Sequence, residues 1–403
     1  IRTLRNWLSS IPENYKGDHP WLNIAYALVL VYAGELDMSE MALCLAEESL
    51  KSLEAEESNQ VMAYIYAIRA YALWINGSTE KSDELASQAL NLIPEEAFAL
   101  RAFTFMVLGA SCIQQNAFED AKRALEGSID LANKTGNDHI QILASSHLVF
   151  LLINQAKYSE AEQICQRIIT KYENTKTKTS PAIAQIFALL SDIYTKRFQL
   201  DEALSLAKKG LEISRRWNQI DTETVCYIYM IQTLITRNEF DQAWEALDQV
   251  KERTLDFSPW FKDIIEETEV YYLISSGDFK SASHWALEKG LDCQDSIHPT
   301  QIHTYFNYAW ILLHEGRFLE ALKMVDRLLL VCEPEKMMGV YLDLLPLKSV
   351  ILDKMGEAEK AVKALEKALS LAEPKGYKRG FIQCGEGLVS LLRQVIKKGQ
   401  HQE

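Results

Sequence analysis

Apolar positions in this chain recur at helical spacing on both sides of a short turn phrase. Before one such turn they fall at Tyr305, Tyr308 and Leu312, and after it at Ala321 and Val325. Intervals of three and four residues place these side chains on one face of a helix. The pattern therefore predicts two amphipathic helices joined by a tight turn, that is, a helical hairpin.

The turn phrase itself is repeated along the chain. It consists of a turn residue, one or two polar residues, a large apolar residue, two polar residues and then a small residue. One copy is Gly316-Arg-Phe318-Leu-Glu-Ala321, and a degenerate copy is Gly77-Ser-Thr79-Glu-Lys-Ser82. Successive copies lie 39 to 43 residues apart. The small residues are Ser39, Ser82, Ala121, Ala161, Ala203, Ala243, Ala282, Ala321 and Ala361.

Each part of the phrase has a physical reason. Gly or Asn ends the first helix, where a left-handed backbone is needed. The Asp or Glu that follows lies in the first turn of the second helix, where its charge suits the helix dipole. The small residue lies where the two helices approach too closely for a large side chain. A single hairpin cannot bury its apolar face alone, so neighbouring hairpins must stack.

The sequence therefore predicts one all-α domain over residues 1–403, a right-handed superhelix (α-solenoid) of about nine hairpins with a period of about 40 residues. A capping helix is expected over 381–398. The expected repeats are 20–56, 62–96, 101–135, 141–173, 182–217, 222–254, 260–291, 300–333 and 341–373.

Composition supports a repeat array. A chain of 403 residues exceeds what one hydrophobic core usually supports, since cores stop growing at roughly 250–300 residues. Only 9 prolines and 17 glycines interrupt it, which is sparse for an all-β protein of this length.

The charge and cysteine pattern exclude several functional classes. The net charge is −14, whereas nucleic-acid surfaces need basic patches, so we expect no direct nucleic-acid contact. The one basic run, Lys171 to Lys178, is interpreted as a solvated linker. The seven cysteines are far apart, which favours reduced thiols, and no apolar run could span a membrane. Reduced thiols indicate a cytoplasmic protein. Because the chain starts at Ile1 and not at Met, we expect it to be a fragment of something longer.

The phrase resembles the tetratricopeptide motif. Leu108-Gly109 matches the Leu-Gly pair of the family's first helix, and Ala121 matches the alanine of its second helix. The units here are about 40 residues, longer than the typical 34. The extra residues are expected to lengthen the helices or the loops between units.

Both ends resemble the boundaries of the repeat domain in large MalT-like regulators of the LuxR type. These segments are Trp7 to Pro12 with Pro20-Trp21-Leu22, and Gly376-Tyr377-Lys-Arg379-Gly-Phe381. The family usually has an acidic residue at Gln383 and Cys384, so this chain departs from it there. The resemblance implies an ATP-binding domain upstream and a helix-turn-helix downstream. This chain has no P-loop, so no cofactor is expected in it, and ATP belongs to the upstream domain.

The resemblance also implies a concave groove lined by the first helix of each unit. We expect the groove to bind an inducer, because aromatic rings beside amides, carboxylates and imidazoles suit a sugar or another polar metabolite. Packing of the same rings between helices is the alternative interpretation. The groove positions are Tyr64, Tyr71, Trp74, Phe150, Asn154, Gln185, Asp192, Gln232, Tyr271, His303, Phe306, Trp310 and His314.

Two functions remain open from the sequence. The first is an effector-sensing and oligomerisation domain of a MalT-like transcriptional activator, with a small-molecule inducer, other domains of the parent regulator and further copies of itself as partners. The second is a general scaffold that holds a peptide or partner protein. No catalytic pattern is present; His314-Glu315-Gly316, for example, is not followed by a second metal-binding histidine. Trp310→Ala is expected to abolish effector binding without unfolding the domain.

Overall fold

A residue with a left-handed backbone marks the turn between the two helices of every hairpin. Seven of these residues are Gly or Asn, as the phrase predicts. Ala156 and Phe198 adopt the same conformation, with φ of 53° and 64°, where the phrase has neither Gly nor Asn. A side chain at such a φ strains the backbone, so these two turns are imposed by the packing of the hairpin. The turn residues are Gly34, Gly77, Asn116, Ala156, Phe198, Asn238, Gly277, Gly316 and Gly356.

The computed structural model describes residues 2–12, 15, 19–174, 180–254, 259–332 and 337–397, and within these ranges it contains helices and no strands. Residues 175–178 of the basic run, residue 333 of the expected repeat 300–333 and residue 398 of the expected capping helix lie outside them. The helices are α1 (Arg2–Ser10), α2 (Pro20–Tyr32), α3 (Leu36–Glu48), α4 (Ala55–Ile75), α5 (Thr79–Leu92), α6 (Phe98–Gln114), α7 (Phe118–Thr135), α8 (Asp138–Asn154), α9 (Tyr158–Asn174), α10 (Ile183–Lys196), α11 (Leu200–Trp217), α12 (Ile220–Thr236), α13 (Phe240–Thr254), α14 (Pro259–Ser276), α15 (Phe279–Glu288), α16 (Ile302–His314), α17 (Phe318–Val331), α18 (Met338–Lys354), α19 (Ala358–Ala372), α20 (Arg379–Gln383) and α21 (Glu386–Lys397).

Adjacent helices pack as hairpins of the tetratricopeptide kind, for example α2 with α3, α6 with α7 and α18 with α19, which confirms the predicted all-α class. First helices of successive hairpins also touch one another, as α4 touches α6 and α10 touches α12. The region expected to form one capping helix contains α20 and α21, which are separated by a left-handed Gly385. None of the described helices is long and apolar enough to cross a lipid bilayer.

The small residue of each phrase is buried. Ala121, for example, is fully buried, and its carbonyl oxygen would lie 3.2 Å from a Cβ added at Gly109. Where serine occupies the position, it adds a bond between the helices: Ser39 Oγ donates to the carbonyl of Ala27 at 2.9 Å, twelve residues earlier. In the fifth hairpin the serine is on the first helix instead, and Ser191 Oγ donates to the carbonyl of Ala203 at 2.7 Å.

The chain forms two compact units. Unit 1 comprises residues 1–148 with 256–260, and unit 2 comprises 149–255 with 261–403. In unit 1 an apolar core runs through α2, α3 and α4, including Leu30, Leu43 and Ile65. In unit 2 a core of α14 to α18 includes Leu312, and a second core, including Leu365 and Leu391, joins α19 to α21.

Candidate functional site

An aromatic cluster occupies the first-helix side of unit 1. Tyr71 on α4 is its centre: it stacks on Trp74 with ring centroids 5.6 Å apart, and it meets Tyr32 of α2 and Phe103 of α6, each at 5.5 Å. Nearby, Tyr64 contacts Trp21 edge-on at 5.3 Å. The predicted residues Tyr64, Tyr71 and Trp74 therefore lie among rings from three successive first helices. We call this set, with the two histidines described next, the ring cluster.

Two histidines of α8 complete the ring cluster. His147 meets Trp74 edge-on at 5.3 Å, and His139 meets Tyr32 at 6.2 Å. Burial lowers the pKa of His147 to about 4 and also lowers the pKa of His139, so both imidazoles are neutral near pH 7. The indole nitrogen of Trp74 is buried and has no hydrogen-bond partner among the described residues. A donor of this kind, set among rings, could bind a hydroxyl or carbonyl oxygen.

Three predicted groove residues face the interior of unit 2: Asp192, Gln232 and Tyr271. Asp192 is 2% exposed and forms an ion pair with Lys196 one helical turn later. Burial lowers the pKa of Lys196, and Asp192 opposes that effect. Burial also raises the pKa of Tyr271, with Arg379 acting in the opposite direction. These side chains belong to α10, α12 and α14, each the first helix of its hairpin.

The chain's own C-terminal region fills this part of unit 2. Arg379 of α20 donates from Nη2 to Asp343 Oδ2 at 3.0 Å and from Nη1 to Gln232 Oε1 at 3.4 Å. Tyr377 hydrogen-bonds to Asp343, and its ring lies nearly parallel to that of Tyr158. Gln232 of α12 and the carbonyl of Lys196, at the end of α10, thus contact a peptide segment of the same chain.

The other predicted positions of unit 2 are dispersed. Gln185 donates to Thr222 Oγ1 at 3.4 Å and so bonds to the neighbouring first helix. Phe150 is 38% exposed. The backbone of Asn154, at the end of α8, lies beside Gly339, where an added Cβ would be 3.3 Å from the Asn154 carbonyl oxygen.

The predicted groove residues of α16, His303, Phe306, Trp310 and His314, do not present one continuous surface. Phe306 is buried in the core of α14 to α18, and Trp310 packs against both cores of unit 2. His314 is exposed and stacks on Phe279 with ring centroids 3.3 Å apart, while His303 is also exposed. The indole nitrogen of Trp310 is buried without a hydrogen-bond partner among the described residues. Among these four residues, only Trp310 combines partial burial with a side-chain donor that has no partner in the described part of the chain.

The sequence analysis does not include several residues that complete the ring cluster or contact the groove positions of unit 2. The ring cluster also contains Tyr32, Phe103, His139 and His147. The apolar pattern of their helices is that of buried core positions. A signal existed for two of them, since Tyr32 lies 39 residues before Tyr71 and Phe103 lies 39 residues after Tyr64; no such spacing marks the two histidines. Arg379 was treated as part of a domain boundary, and nothing in its local pattern indicates contact with residues of α12 and α18.

The cysteines offer no reactive thiol in a cluster. All seven are free; Cys112, Cys165, Cys226, Cys332 and Cys384 are buried, whereas Cys44 is exposed. Burial raises the pKa of Cys112, Cys165 and Cys332 to about 12, which keeps these thiols protonated and weakly nucleophilic. Among the described residues, His, Cys, Asp and Glu form no group that could hold a metal ion.

Comparison with known proteins gives a family. The family model described as the MalT-like TPR region, that is, its tetratricopeptide region, matches residues 63–398. The HTH-type transcriptional regulator MalT of Serratia proteamaculans (strain 568) is 23% identical over 403 residues, 98% of this chain and 44% of the relative. MalT of Yersinia enterocolitica serotype O:8 / biotype 1B (strain NCTC 13174 / 8081) is 24% identical over 406 residues, with the same coverage. The chain thus spans less than half the length of these relatives.

A solved structure shares the fold. A Rap protein complexed with competence and sporulation factor superposes with a TM-score of 0.53 and 10% identity, covering 88% of this chain and 86% of that chain. At this identity the similarity concerns the fold alone, a helical repeat array.

Proposed function

Because this chain belongs to the family of the MalT-like TPR region, we propose that it is the effector-sensing and assembly domain of a transcriptional regulator. The named relatives are HTH-type regulators of more than twice this length. In the proposal, the parent protein supplies ATP binding and DNA binding, and this domain binds the effector, the other domains and further copies of itself. It acts in the cytoplasm, where a regulator reaches DNA, and it catalyses no reaction.

The observation that carries this proposal is the ring cluster of unit 1. Rings offer flat apolar faces to the C–H faces of a sugar, and neutral imidazoles and an unpartnered indole N–H offer hydrogen bonds to its hydroxyls. The interior of unit 2 is less suitable, because the side chains of Asp192 and Gln232 already face Lys196 and Arg379. We therefore assign the effector to unit 1, around Tyr71 and Trp74.

Binding there would act by shifting a population. The ring cluster joins α2, α4, α6 and α8, so a ligand wedged among the rings favours one spacing of these first helices over another. The hairpins stack in series, and a changed spacing at one crossing alters the surface offered to neighbouring domains. A ligand can shift this balance only by the difference between its affinities for the two arrangements.

Calorimetry with the intact chain and a panel of oligosaccharides tests the proposal, with Trp74→Ala, Trp310→Ala and the control Trp244→Ala. Trp244 is an exposed tryptophan on α13 that contacts Tyr272. We expect Trp74→Ala to weaken binding about tenfold or more, since losing a ring contact and a hydrogen bond costs at least about 1.4 kcal/mol. Trp244→Ala should leave affinity unchanged. Loss of binding in Trp310→Ala alone would move the effector site to unit 2.

A scaffold for peptides or proteins is the second candidate. The specific observation in its favour is that the first helices of unit 2 already hold a peptide segment, through Asp343 and Gln232. Thermal-shift measurements on the purified chain can separate the two candidates. One cell extract is divided by dialysis into a small-molecule fraction and a protein fraction, and the melting temperature of the chain is measured with each. A rise in melting temperature with the small-molecule fraction supports the effector function, because a ligand that binds only the folded state stabilises it. A rise with the protein fraction alone supports the scaffold.

A further inference from the structure

The segment of residues 376–381, which we call the clasp, connects α19 to the final helix without forming part of a hairpin. Gly376 and Gly385, with φ of 64° and 53°, bracket the clasp and α20. Lys378, in the middle of the clasp, is exposed, whereas Tyr377 and Gly380 are buried. The clasp therefore buries Tyr377 and Gly380 in unit 2 while Lys378 stays exposed. The bends at Gly376 and Gly385 are left-handed, a conformation that glycine adopts without strain.

The backbone of the clasp is held by a helix distant in sequence. The amide of Lys378 donates to the carbonyl of Lys196, the last residue of α10, at 2.8 Å. Gly376 lies beside the side chain of Arg197, the residue that follows Lys196: an added Cβ would be 3.7 Å from Arg197 Nε. Carbonyls at the end of a helix have no partner within the helix. The clasp therefore satisfies a C-terminal carbonyl of α10 with its own backbone.

Side-chain contacts of the clasp converge on Asp343 of α18. Arg379 and Tyr377 both bond to this carboxylate, and the amide of Gly380 donates to the Tyr377 hydroxyl at 3.1 Å. The side chains of Arg379 and Asp343 are only 15% and 9% exposed. Burial alone would lower the pKa of Arg379, but Asp343 and the surrounding tyrosines raise it well above its usual value, so the guanidinium stays charged.

No side chain larger than that of glycine fits at position 380. A Cβ there would lie 2.9 Å from the Tyr377 hydroxyl and 3.2 Å from Asp343 Oδ1. The recognised feature is thus a tyrosine, an arginine and a glycine at fixed offsets around one carboxylate. This is a specific arrangement of partners, as in the recognition of a peptide ligand.

The seated clasp leaves polar atoms unsatisfied. Arg379 Nε and the hydroxyl of Tyr158 are buried and have no hydrogen-bond partner in the described part of the chain. Water would satisfy both groups if the clasp were displaced. The free-energy difference that favours the seated state is therefore smaller than its contacts alone suggest. A balance of this kind is expected for a segment that leaves its site, and not for a segment that belongs to a permanent core.

We propose that the clasp is a releasable intramolecular ligand, and that unit 2 carries a recognition site for an arginine-bearing peptide formed by Asp343, Gln232 and the end of α10. In the seated state the clasp joins α10, α12 and α18 and fixes the position of α21. In the released state the carboxylate of Asp343 and the inner face of α12 become accessible, and α21 can change its position. The inference concerns unit 2 and does not depend on the effector site proposed for unit 1.

Hydrogen exchange on the intact chain tests release. We expect Asp343→Asn to accelerate exchange at the Lys378 and Gly380 amides by about tenfold or more, because a charge-assisted bond to Arg379 is lost. Amides of unit 1 should be unaffected. The control is Asp326→Asn. Asp326 of α17 pairs with Lys348 of α18 at 2.6 Å, and neither residue contacts the clasp in the bonds described above. Equal acceleration throughout unit 2 would mean that the clasp is an inseparable part of the core, and would overturn the proposal.

A labelled peptide with the sequence of residues 374–384 provides the second test. Arg379→Gln weakens the chain's own clasp, so this variant should bind the peptide about tenfold or more tightly than the unaltered chain does. The same peptide carrying Arg379→Gln should bind at least about tenfold more weakly, since it lacks the guanidinium. Equal binding of the two peptides, or no binding to the variant chain, would contradict a recognition site for arginine.

Discussion

Tyr377 lies nearly parallel to Tyr158, with ring centroids 6.1 Å apart and an interplanar angle of 18°. Both rings are buried, yet their hydroxyls differ. The Tyr377 hydroxyl bonds to Asp343 and accepts from the Gly380 amide, whereas the Tyr158 hydroxyl has no partner among the described residues. The two stacked tyrosines therefore offer a matched pair in which the same atom can be removed from two environments.

We predict that Tyr377→Phe and Tyr158→Phe have different effects on stability. Removing the Tyr377 hydroxyl should lower the free energy of unfolding by about 1.5–3 kcal/mol, because a bond to a charged group is lost and a buried carboxylate loses a partner. Removing the Tyr158 hydroxyl should be neutral or should stabilise by about 1 kcal/mol, because a buried unsatisfied group is eliminated. Urea denaturation of the two variants measures both values. Equal losses would show that both hydroxyls are satisfied in solution.

The hairpin array could be predicted from sequence because its signals are local. The turn at Gly316, the acidic first turn and the buried Ala321 all lie within a few residues of one another, and each has a direct steric or electrostatic cause. Ala156 and Phe198 were not predicted as left-handed residues because their side chains disfavour that conformation. Only the stacking of the flanking helices imposes it, and local propensity carries no information about that stacking.

The candidate site could be predicted only in part. Tyr71 and Trp74 lie on a first-helix stripe, so their shared position could be counted from the repeat. His147 could not be added to them, because a histidine among apolar residues is equally compatible with an outward position. The contacts of Arg379 with Asp343 and Gln232 join the end of the chain to two distant hairpins. No periodicity specifies such a contact, which depends on how several hairpins stack.

Comparing alanine substitutions at two glycines separates the effect of backbone strain from that of packing, because an added Cβ would have no neighbour within 4 Å at either position. Gly316 has φ of +75° at a turn, whereas Gly127 lies within α7. Gly316→Ala should reduce stability by about 1–2 kcal/mol, because a Cβ is strained in the left-handed region. Gly127→Ala should increase stability by about 0.5–1 kcal/mol, because alanine loses less entropy in a helix. Thermal unfolding of both variants checks the opposite signs; a loss in both would indicate hidden crowding at Gly127.

Gly109 is required by close packing and not by its backbone. A Cβ at this position would lie 2.6 Å from Cγ of Leu125, a fully buried side chain. Gly109→Ala should therefore destabilise by about 1–3 kcal/mol despite the better helix propensity of alanine. Leu125→Ala alone should cost about 2–5 kcal/mol by leaving a cavity. In the double variant the new methyl group partly fills that cavity, so its loss should be smaller than the sum of the two, as a double-mutant cycle would measure. Strict additivity would argue against this contact.

His147 should make unit 1 sensitive to mild acid. Burial lowers its pKa to about 4 in the folded chain, below its ordinary value of about 6.5 in an unfolded chain. The folded state therefore binds this proton less readily than the unfolded state. The stability is fully present above about pH 6.5 and is lost as the pH falls toward 4, by up to about 1.4 kcal/mol per pH unit.

The comparison variant for this prediction is His147→Gln, which cannot take up the proton. Urea denaturation at pH 7.5 and pH 5 should show that the unaltered chain loses up to about 2 kcal/mol more than the variant over this interval. His139 also has a lowered pKa and is present in both proteins, so its contribution cancels in the difference. An identical pH dependence of the two proteins would mean that His147 is hydrated and titrates normally. The ring cluster would then be open to water at α8, and Trp74 would not be shielded by its imidazole neighbour.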